Sequence, residues 1–247
     1  EDIRKSYPTR SGPVHVLKGI DLQVAKGERL GVLGGNGAGK STLIRLISGI
    51  ERPTSGLIER SMRISWPMAF TGAFQGALTG MDNIKFICRI YGRDFHDVMG
   101  FVEDFSQLGR FLKEPVKIYS SGMRARLAFA VSLMIDFDCY LIDEVVAVGD
   151  SRFQARSHEE LFVKRADRAL VIVSHDAHYL RHHCERACVL HDGHLSHFSS
   201  IDDALEFQVV GRVLHDIEIG DGVLDFLALI EARAADHAVG QPRGHEA

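Results

Sequence analysis

The chain of 247 residues lacks long apolar runs and has only four cysteines. No stretch approaches the roughly 18 uninterrupted apolar residues of a membrane-spanning helix, and no signal-peptide pattern opens the sequence. We therefore expect a protein that is soluble by itself and that reaches a membrane only through a partner. The cysteines form no CxxC pair, which is typical of buried thiols in a reducing cytosol rather than of a disulfide framework.

The chain also lacks a strong charge of either sign. Its formal net charge of −4 at pH 7 offers no general attraction to nucleic acid or to an acidic membrane surface, so we expect no nucleic-acid partner. Phosphate binding remains open, because backbone N–H groups and one or two cations are enough to make such a site. The hydrophobic content of 45% is that of a globular protein. The length suits one large α/β domain, or a core domain with a small subdomain.

Hydrophobic patterning predicts strands and helices in alternation, with a helical insertion at about 70–135. Strands are predicted at 14–24, 28–34, 57–59, 62–65, 138–145 and 169–175, with an antiparallel pair at 186–198 around Asp192–Gly193. Helices are predicted after the glycine-rich stretch at 34–41, near 80–91, 94–107 and 121–135, and after residue 200, including an amphipathic stretch near 222–235.

The sequence GGNGAGKS at 34–41 is the clearest motif. It fits the phosphate-loop pattern G-x-x-x-x-G-K-[ST], and it lies between a predicted strand and a predicted helix, as that motif requires. Glycines allow backbone N–H groups to surround a phosphate without obstruction. Lys40 supplies a positive charge for the β- and γ-phosphates, and the Ser41 hydroxyl suits Mg²⁺. Thr42 adds a donor at the helix start, so the motif predicts a nucleoside-triphosphate site.

Polar residues also follow two other predicted strands. Asp143 and Glu144 end the apolar run YLI, where the first carboxylate can hold the Mg²⁺ shell and the second can act as general base on water. His175 follows another apolar run, and such positions lie at the ligand-binding edge of an open α/β sheet. A second helix start, IYSSGMRAR at 118–126, has the hydroxyls and the glycine that suit an anion.

Together these segments resemble the nucleotide-binding subunits of ABC transporters over most of residues 3–198. The family's motifs occur in order: Walker A GGNGAGKST, the PTSG turn, Gln75 as the Q-loop residue, YSSGM as the signature, LIDE as Walker B, Asp150 in the D-loop AVGD, and His175 as the switch histidine. Tyr7 lies where the family places an aromatic ring against adenine.

The resemblance implies an α/β fold: a P-loop NTPase core with a RecA-like mixed sheet and an antiparallel β subdomain, plus a small helical subdomain. It implies a single nucleotide-binding domain at 1–247, with the helical subdomain at about 70–135 and a C-terminal helical extension at about 200–247. ATP and Mg²⁺ are the implied cofactors. Two copies are expected to hold two ATP molecules head to tail, so that each γ-phosphate meets the Walker A loop of one copy and the signature of the other.

The family's motifs assign three sets of residues in this sequence. The implied nucleotide-binding residues are Tyr7, Gly34, Gly35, Asn36, Gly37, Ala38, Gly39, Lys40, Ser41, Thr42, Ser120, Ser121, Gly122 and Asp150. The implied magnesium residues are Ser41, Gln75 and Asp143, and the implied catalytic residues are Glu144, His175 and Gln75.

The signature departs from the family's usual LSGGQ at two positions. Ser121 replaces the first glycine, and Met123 replaces the glutamine. A serine is small and suits a helix start, so we expect the site to be active. Loss of the glutamine removes one polar contact near the nucleotide.

The stretch at 64–86, with YSSGMRARLAFA and IDEVVAVGD, resembles bacterial ATPases that export capsular polysaccharide or related surface glycans. Exporters of O-antigen and of teichoic acid are the alternatives. The resemblance implies a separate multi-span permease that contacts the Gln75 region, and a peripheral location on the cytoplasmic face of the bacterial inner membrane. We expect the permease to handle the glycan, because the segment after residue 200 is too short for a β-sandwich of about 100 residues.

Three other interpretations of the sequence have less support. A soluble ABC ATPase acting on DNA or ribosomes usually joins two nucleotide domains or inserts long helical arms. A kinase or GTPase would lack the signature and the switch histidine. The histidines between 175 and 197 fit no zinc-binding spacing, and His191 and His194 are expected as exposed residues of a hairpin.

Overall fold

Strands and helices alternate through residues 1–68, 70–143 and 150–216, which are the residues that the computed structural model describes. The strands are β1 Ile3–Thr9, β2 Gly12–Ile20, β3 Arg29–Gly34, β4 Ile64–Pro67, β5 Cys139–Asp143, β6 Ala169–Val173, β7 Arg186–His191 and β8 His194–Phe198. The α-helices are α1 Lys40–Ser48, α2 Gly80–Ile90, α3 Phe95–Ser106, α4 Ser121–Met134, α5 Ser151–His158, α6 Ala177–His183 and α7 Ile201–Asp216.

The larger sheet has six strands in the order β4-β5-β6-β3-β7-β8. All neighbours are parallel except β7 and β8, which form the predicted antiparallel hairpin. Strand β6 is buried along its whole length and β5 at every residue but the last, as expected for parallel strands covered on both faces. Strands β1 and β2 form a separate antiparallel sheet. The predicted α/β class, with a mixed sheet and an antiparallel β unit, is confirmed.

The parallel strands bring their carboxyl ends to one edge of the sheet. In the ladder, Asp143 of β5 is paired with Val173 of β6, and Val173 is paired with Val32 of the neighbouring β3. Residues that follow β3, β5 and β6 therefore lie side by side, although they come from distant parts of the sequence. In an open α/β sheet this edge is where ligands bind.

Helices α2, α3 and α4 lie between β4 and β5 in the sequence, as the predicted helical insertion. Thr79 and Ser120 cap α2 and α4 by accepting hydrogen bonds from backbone N–H groups of the first turn. Phe105 of α3 and Phe129 of α4 pack against Phe153 of α5, with ring centroids 5.1 and 5.9 Å away. This aromatic cluster joins the insertion to the segment that follows Walker B. No helix of the described residues is long and apolar enough to cross a membrane.

Two strand predictions need correction, and one strand was not predicted. Strand β2 ends at Ile20 rather than at 24, because its ladder with β1 ends where Ile3 pairs with Ile20. Strand β1 had no clear signal, since exposed and half-buried polar residues interrupt its pattern. Residues 57–59 are not a strand, and the segment ends instead with Arg60 donating to the carbonyls of Leu46 and Ile47 at the end of α1.

His183 lies in an aromatic cluster between α5 and α6. Its ring stacks on Phe162 with centroids 4.0 Å apart, and the rings of Tyr179 and His158 lie at 4.5 and 5.3 Å. Burial, with the nearby charges of His158 and Arg29, lowers the pKa of His183 from 6.5 to about 4. The imidazole is therefore neutral in the folded protein at neutral pH.

Acidification is expected to destabilise the fold through His183. The pKa of His183 in the folded protein lies below the unfolded value of 6.5. The contribution of the neutral ring to the free energy of unfolding is therefore complete above pH 6.5 and is lost as the pH falls towards about 4. Because the ring is partly exposed, we expect a loss of roughly 1–2 kcal/mol of unfolding free energy rather than the full shift. Denaturant unfolding at several pH values should show this loss in the unchanged protein and not in the His183→Phe variant. Equal pH dependence in both proteins would contradict it.

Candidate nucleotide-binding site

The glycine-rich loop joins the end of β3 to the start of α1, as the motif predicts. Gly37 and Gly39 have φ angles of +80° and +104°, which side chains rarely adopt. A Cβ on Gly39 would also lie 3.0 Å from Cγ1 of Val16 in β2. In contrast, a Cβ on Gly35 or Gly37 would meet nothing within 4 Å. The loop is therefore packed against β2 at Gly39 and leaves open space at Gly35 and Gly37, where a phosphate can approach the backbone.

The ammonium group of Lys40 lies over this loop. Its Nζ donates to the carbonyl oxygens of Gly34 at 3.0 Å and Gly35 at 2.9 Å, and the residue is only 9% exposed. Ser41 is exposed at the helix start, while Thr42 is buried. A cation held by carbonyl oxygens beside an open, glycine-lined space meets the requirements of a triphosphate site.

Two further candidate residues share this edge of the sheet. Asp143 is partly buried as the last residue of β5. His175 is exposed two residues after β6, and the intervening Ser174 donates its backbone N–H to the carbonyl of Val32 at 3.3 Å. The phosphate loop, Asp143 and His175 therefore lie at the carboxyl ends of three adjacent strands, β3, β5 and β6. Glu144 lies outside the described residues.

Gln75 is exposed in the segment between β4 and α2. Its backbone is held by Asn83, a residue that the sequence analysis missed. The side-chain oxygen of Asn83 accepts from the N–H of Gln75 at 2.8 Å, and its amide donates to the carbonyls of Gln75 and Thr79 at 3.1 and 2.9 Å. Asn83 is 2% exposed. The sequence signal for Asn83 is an asparagine among the apolar positions of a predicted helix, because an amide that is buried there needs hydrogen-bond partners.

The signature forms the start of α4, as predicted. Ser120 is the N-cap residue, and its hydroxyl oxygen accepts from the N–H of Met123 at 3.2 Å. Ser120 and Ser121 are exposed and Gly122 is half-buried. By helix geometry the N–H groups of Ser121 and Gly122 have no partner within the helix, and they lie at the positive end of its dipole.

Asp150 caps α5 and contacts the signature helix. One carboxylate oxygen accepts from the N–H of Phe153 at 2.9 Å, and the other pairs with Nη2 of Arg126 in α4 at 2.7 Å. The Phe153 N–H, followed by Arg126, lowers the pKa of Asp150. Arg124 donates to the carbonyl of Tyr119 at 2.8 Å. An ion pair thus connects the D-loop aspartate to the signature helix within one subunit.

Tyr7 lies in β1, paired with Val14 of β2. Its hydroxyl donates to the carboxylate of Glu51 at 2.6 Å, and the ammonium of Lys5 is 5.0 Å from its ring centroid. Strand β2 also contacts the phosphate loop through Val16 and Gly39. The ring is therefore on the small sheet that flanks the loop, and Glu51 is another contact that the sequence analysis missed.

A phosphate loop followed by polar residues at the same edge of a parallel sheet defines a P-loop nucleotide-binding protein. A family model described as ABC transporter matches residues 17–147. The chain belongs to this family of ABC ATPases.

Curated relatives agree with this assignment. The chain is 58% identical over 207 residues to the capsule polysaccharide export ATP-binding protein CtrD of Neisseria meningitidis, covering 84% of this chain and 96% of the relative. It is 58% identical over 206 residues to the ATP-binding protein BexA of Haemophilus influenzae, covering 83% and 95%. It is 42% identical over 208 residues to the polysialic acid transport ATP-binding protein KpsT of Escherichia coli, covering 83% and 95%.

Solved structures show the same fold. A dimeric post-hydrolysis state of the ATP-binding cassette MJ0796, bound to ADP and Pi, matches with a TM-score of 0.66 at 22% identity, covering 79% of this chain and 94% of that one. An ATP-binding subunit of an ABC transporter matches with a TM-score of 0.71 at 20% identity, covering 94% and 98%. The predicted P-loop NTPase fold of ABC type is confirmed.

Proposed function

We propose that this chain is the ATP-binding and hydrolysing subunit of an exporter of capsular polysaccharide. The observation that carries the substrate class is the 58% identity to CtrD along 84% of the chain. Exporters of O-antigen and of teichoic acids are more distant relatives. We further propose that a separate multi-span permease handles the glycan, and that the subunit acts beside that permease on the cytoplasmic face of the inner membrane.

In the proposed mechanism, the triphosphate occupies the open side of the glycine-rich loop. Lys40 exchanges its carbonyl partners for phosphate oxygens, and backbone N–H groups of the loop donate to the β-phosphate. Ser41, Asp143 and Gln75 would hold Mg²⁺, which neutralises phosphate charge when bound.

The remaining catalytic roles concern the attacking water. Glu144 is proposed as the general base, and His175 as the residue that orients the water or contacts the γ-phosphate. The position of His175 beside the phosphate-loop strand supports this role.

Two copies are proposed to complete each site. The start of α4 offers an anion a positive dipole end and the N–H groups of Ser121 and Gly122, which have no partner within the helix. Its exposed hydroxyls at Ser120 and Ser121 are accessible to a partner. The head-to-tail arrangement places this half-site on the γ-phosphate bound by the other copy, so dimerisation becomes part of catalysis.

We also propose that residues 1–247 form one nucleotide-binding domain. The span of α2 to α4, from Gly80 to Met134, supports a helical subdomain at about 70–135. Helix α7 begins at Ile201, which supports a helical extension from about 200. The amphipathic stretch predicted near 222–235 lies outside the described residues.

Complementation tests the substrate class. In an encapsulated bacterium that lacks its own capsule-export ATPase, expression of this chain is expected to restore surface capsule. The reason is that the nucleotide-binding subunit must bind the capsule permease and power its transport cycle. The Glu144→Gln variant should accumulate to the same level and leave the polysaccharide inside the cell. A parallel strain lacking an O-antigen ATPase is the control. Restoration of O-antigen but not of capsule would contradict the proposal.

A further inference from the structure

A cluster of four side chains connects the end of α1 to β1. Glu51, in the turn after α1, is its centre. Its carboxylate accepts from the Tyr7 hydroxyl at 2.6 Å and pairs with Nζ of Lys5 at 3.3 Å and Nε of Arg45 at 2.9 Å. The Nε–H of Arg45 is not aligned for a hydrogen bond, so that contact is a charge interaction. The Tyr7 hydrogen bond, with the two cations, lowers the pKa of Glu51.

These contacts fix the Tyr7 ring at two points. Glu51 holds the hydroxyl, which restricts rotation of the ring about its side-chain bonds. The ammonium of Lys5 lies 5.0 Å from the ring centroid and also donates to the carbonyl of Arg52 at 2.9 Å. A hydrogen bond to a charged acceptor is stronger than one to a neutral acceptor, so it favours one orientation of the ring.

The same carboxylate is anchored to the phosphate loop. Arg45 lies on α1, and its Nη2 donates to the hydroxyl of the buried Thr42 at 3.4 Å. The backbone N–H of Glu51 donates to the carbonyl of Arg45 at 3.1 Å. A continuous chain of contacts therefore runs from the Walker A threonine through Arg45 and Glu51 to the Tyr7 ring.

We propose that Glu51 is a positioning residue of the nucleotide site, which holds the Tyr7 ring at a fixed place relative to the phosphate loop so that it stacks on the adenine base. This rests on the proposed function, in which the Tyr7 ring contacts the base. A pre-oriented ring binds the base without first losing its rotational freedom. Loss of the Glu51 contact should therefore weaken binding of the adenine base and leave the affinity for the phosphates unchanged.

The test compares two ligands, MgATP and magnesium tripolyphosphate, by titration calorimetry on the whole chain. Glu51→Gln keeps the side-chain size but removes the charge, and Tyr7→Phe removes only the hydroxyl. Tyr7→Phe removes the hydrogen bond, whereas Glu51→Gln reduces it to a bond with a neutral acceptor and removes both ion pairs. Each change is therefore expected to weaken MgATP binding about three- to tenfold. Tripolyphosphate affinity should stay within about twofold. The double variant should bind MgATP no more weakly than the weaker single variant, because both changes act on the same contact.

Glu59→Gln is the matched control, since Glu59 is an exposed carboxylate in the same connecting segment. It should leave both affinities unchanged. Equal weakening of both ligands by Glu51→Gln would show an effect on the loop or the fold, and would overturn the proposal. Unchanged MgATP affinity in both Glu51→Gln and Tyr7→Phe would overturn it as well.

Two further variants separate this proposal from the proposed function. Tyr7→Ala is expected to weaken MgATP about tenfold or more through loss of base stacking. Full MgATP affinity in Tyr7→Ala would show that Tyr7 does not contact the base, and would overturn the proposal about Glu51. The proposed ATP binding would still stand. Full affinity of Lys40→Ala for both ligands would instead refute the proposed triphosphate site.

Discussion

Replacement of Ser120 by arginine is expected to abolish ATP hydrolysis while leaving ATP binding by the same subunit nearly unchanged. Ser120 caps α4 and is exposed at the N-terminal end of this helix. Arginine removes the cap and fills the space that the partner's γ-phosphate would occupy. Loss of a single preorganised donor to a transition-state oxyanion typically costs about 10²- to 10³-fold in rate. Steady-state ATPase assays and equilibrium nucleotide binding measure the two effects separately.

Two variants at the same position control for the loss of the cap. Ser120→Thr keeps the capping hydroxyl and should retain most of the activity. Ser120→Ala should lower the unfolding free energy by about 1 kcal/mol, the usual contribution of an N-cap side chain. If Ser120→Arg hydrolysed ATP at a rate close to that of Ser120→Thr, the signature would have no role at the nucleotide of a partner subunit.

Replacement of Lys40 by alanine is expected to remove ATP binding, and with it hydrolysis, in that subunit. Lys40 is buried, and its ammonium group supplies the cation that lies over the loop. A hydrogen bond between charged groups contributes about 1.5–3 kcal/mol, and several are formed with a triphosphate, so we expect a loss of affinity of about a hundredfold or more. Calorimetry with MgATP measures the change. Retention of near-normal affinity would contradict the assignment of this loop.

The two inactive variants together test the head-to-tail arrangement. A mixed dimer of Lys40→Ala and Ser120→Arg subunits has one site with both defects and one site with neither. Random mixing in equal amounts should therefore restore activity to about a quarter of the original value, if the two sites turn over independently. Each variant alone stays inactive. An equally low rate in the mixture would contradict a site shared between subunits.

Local sequence predicted the phosphate loop and its immediate flanks well. The spacing of the glycines and the lysine in 34–41 is a pattern of only a few neighbouring residues. The structure has this loop between β3 and α1, as expected. Asp143 and His175 were also placed at one edge, because parallel strands align their carboxyl ends. Ser121 and Met123 in the signature do not prevent α4 from starting with a serine cap.

Contacts between distant segments were not predictable in this way. Glu51 lies two residues before the PTSG turn, and its bond to Tyr7 joins residues 44 positions apart. Arg126 is the last residue of the stretch IYSSGMRAR, and its guanidinium pairs with Asp150 of the D-loop, 24 positions away. A polar side chain carries no sequence signal for its partner when that partner is brought near only by folding.

The sequence by itself determined the α/β class, the triphosphate loop and the resemblance to ABC ATPases. These rest on local chemistry: backbone freedom at glycines, a charge at a fixed spacing, and apolar runs of strand length. The tertiary structure alone decided how the separate motifs support each other. Sheet pairing and helix packing fix Tyr7 through Glu51, Gln75 through Asn83, and Asp150 through Arg126. Such pairs depend on three-dimensional proximity, because each hydrogen bond forms only within about 3 Å.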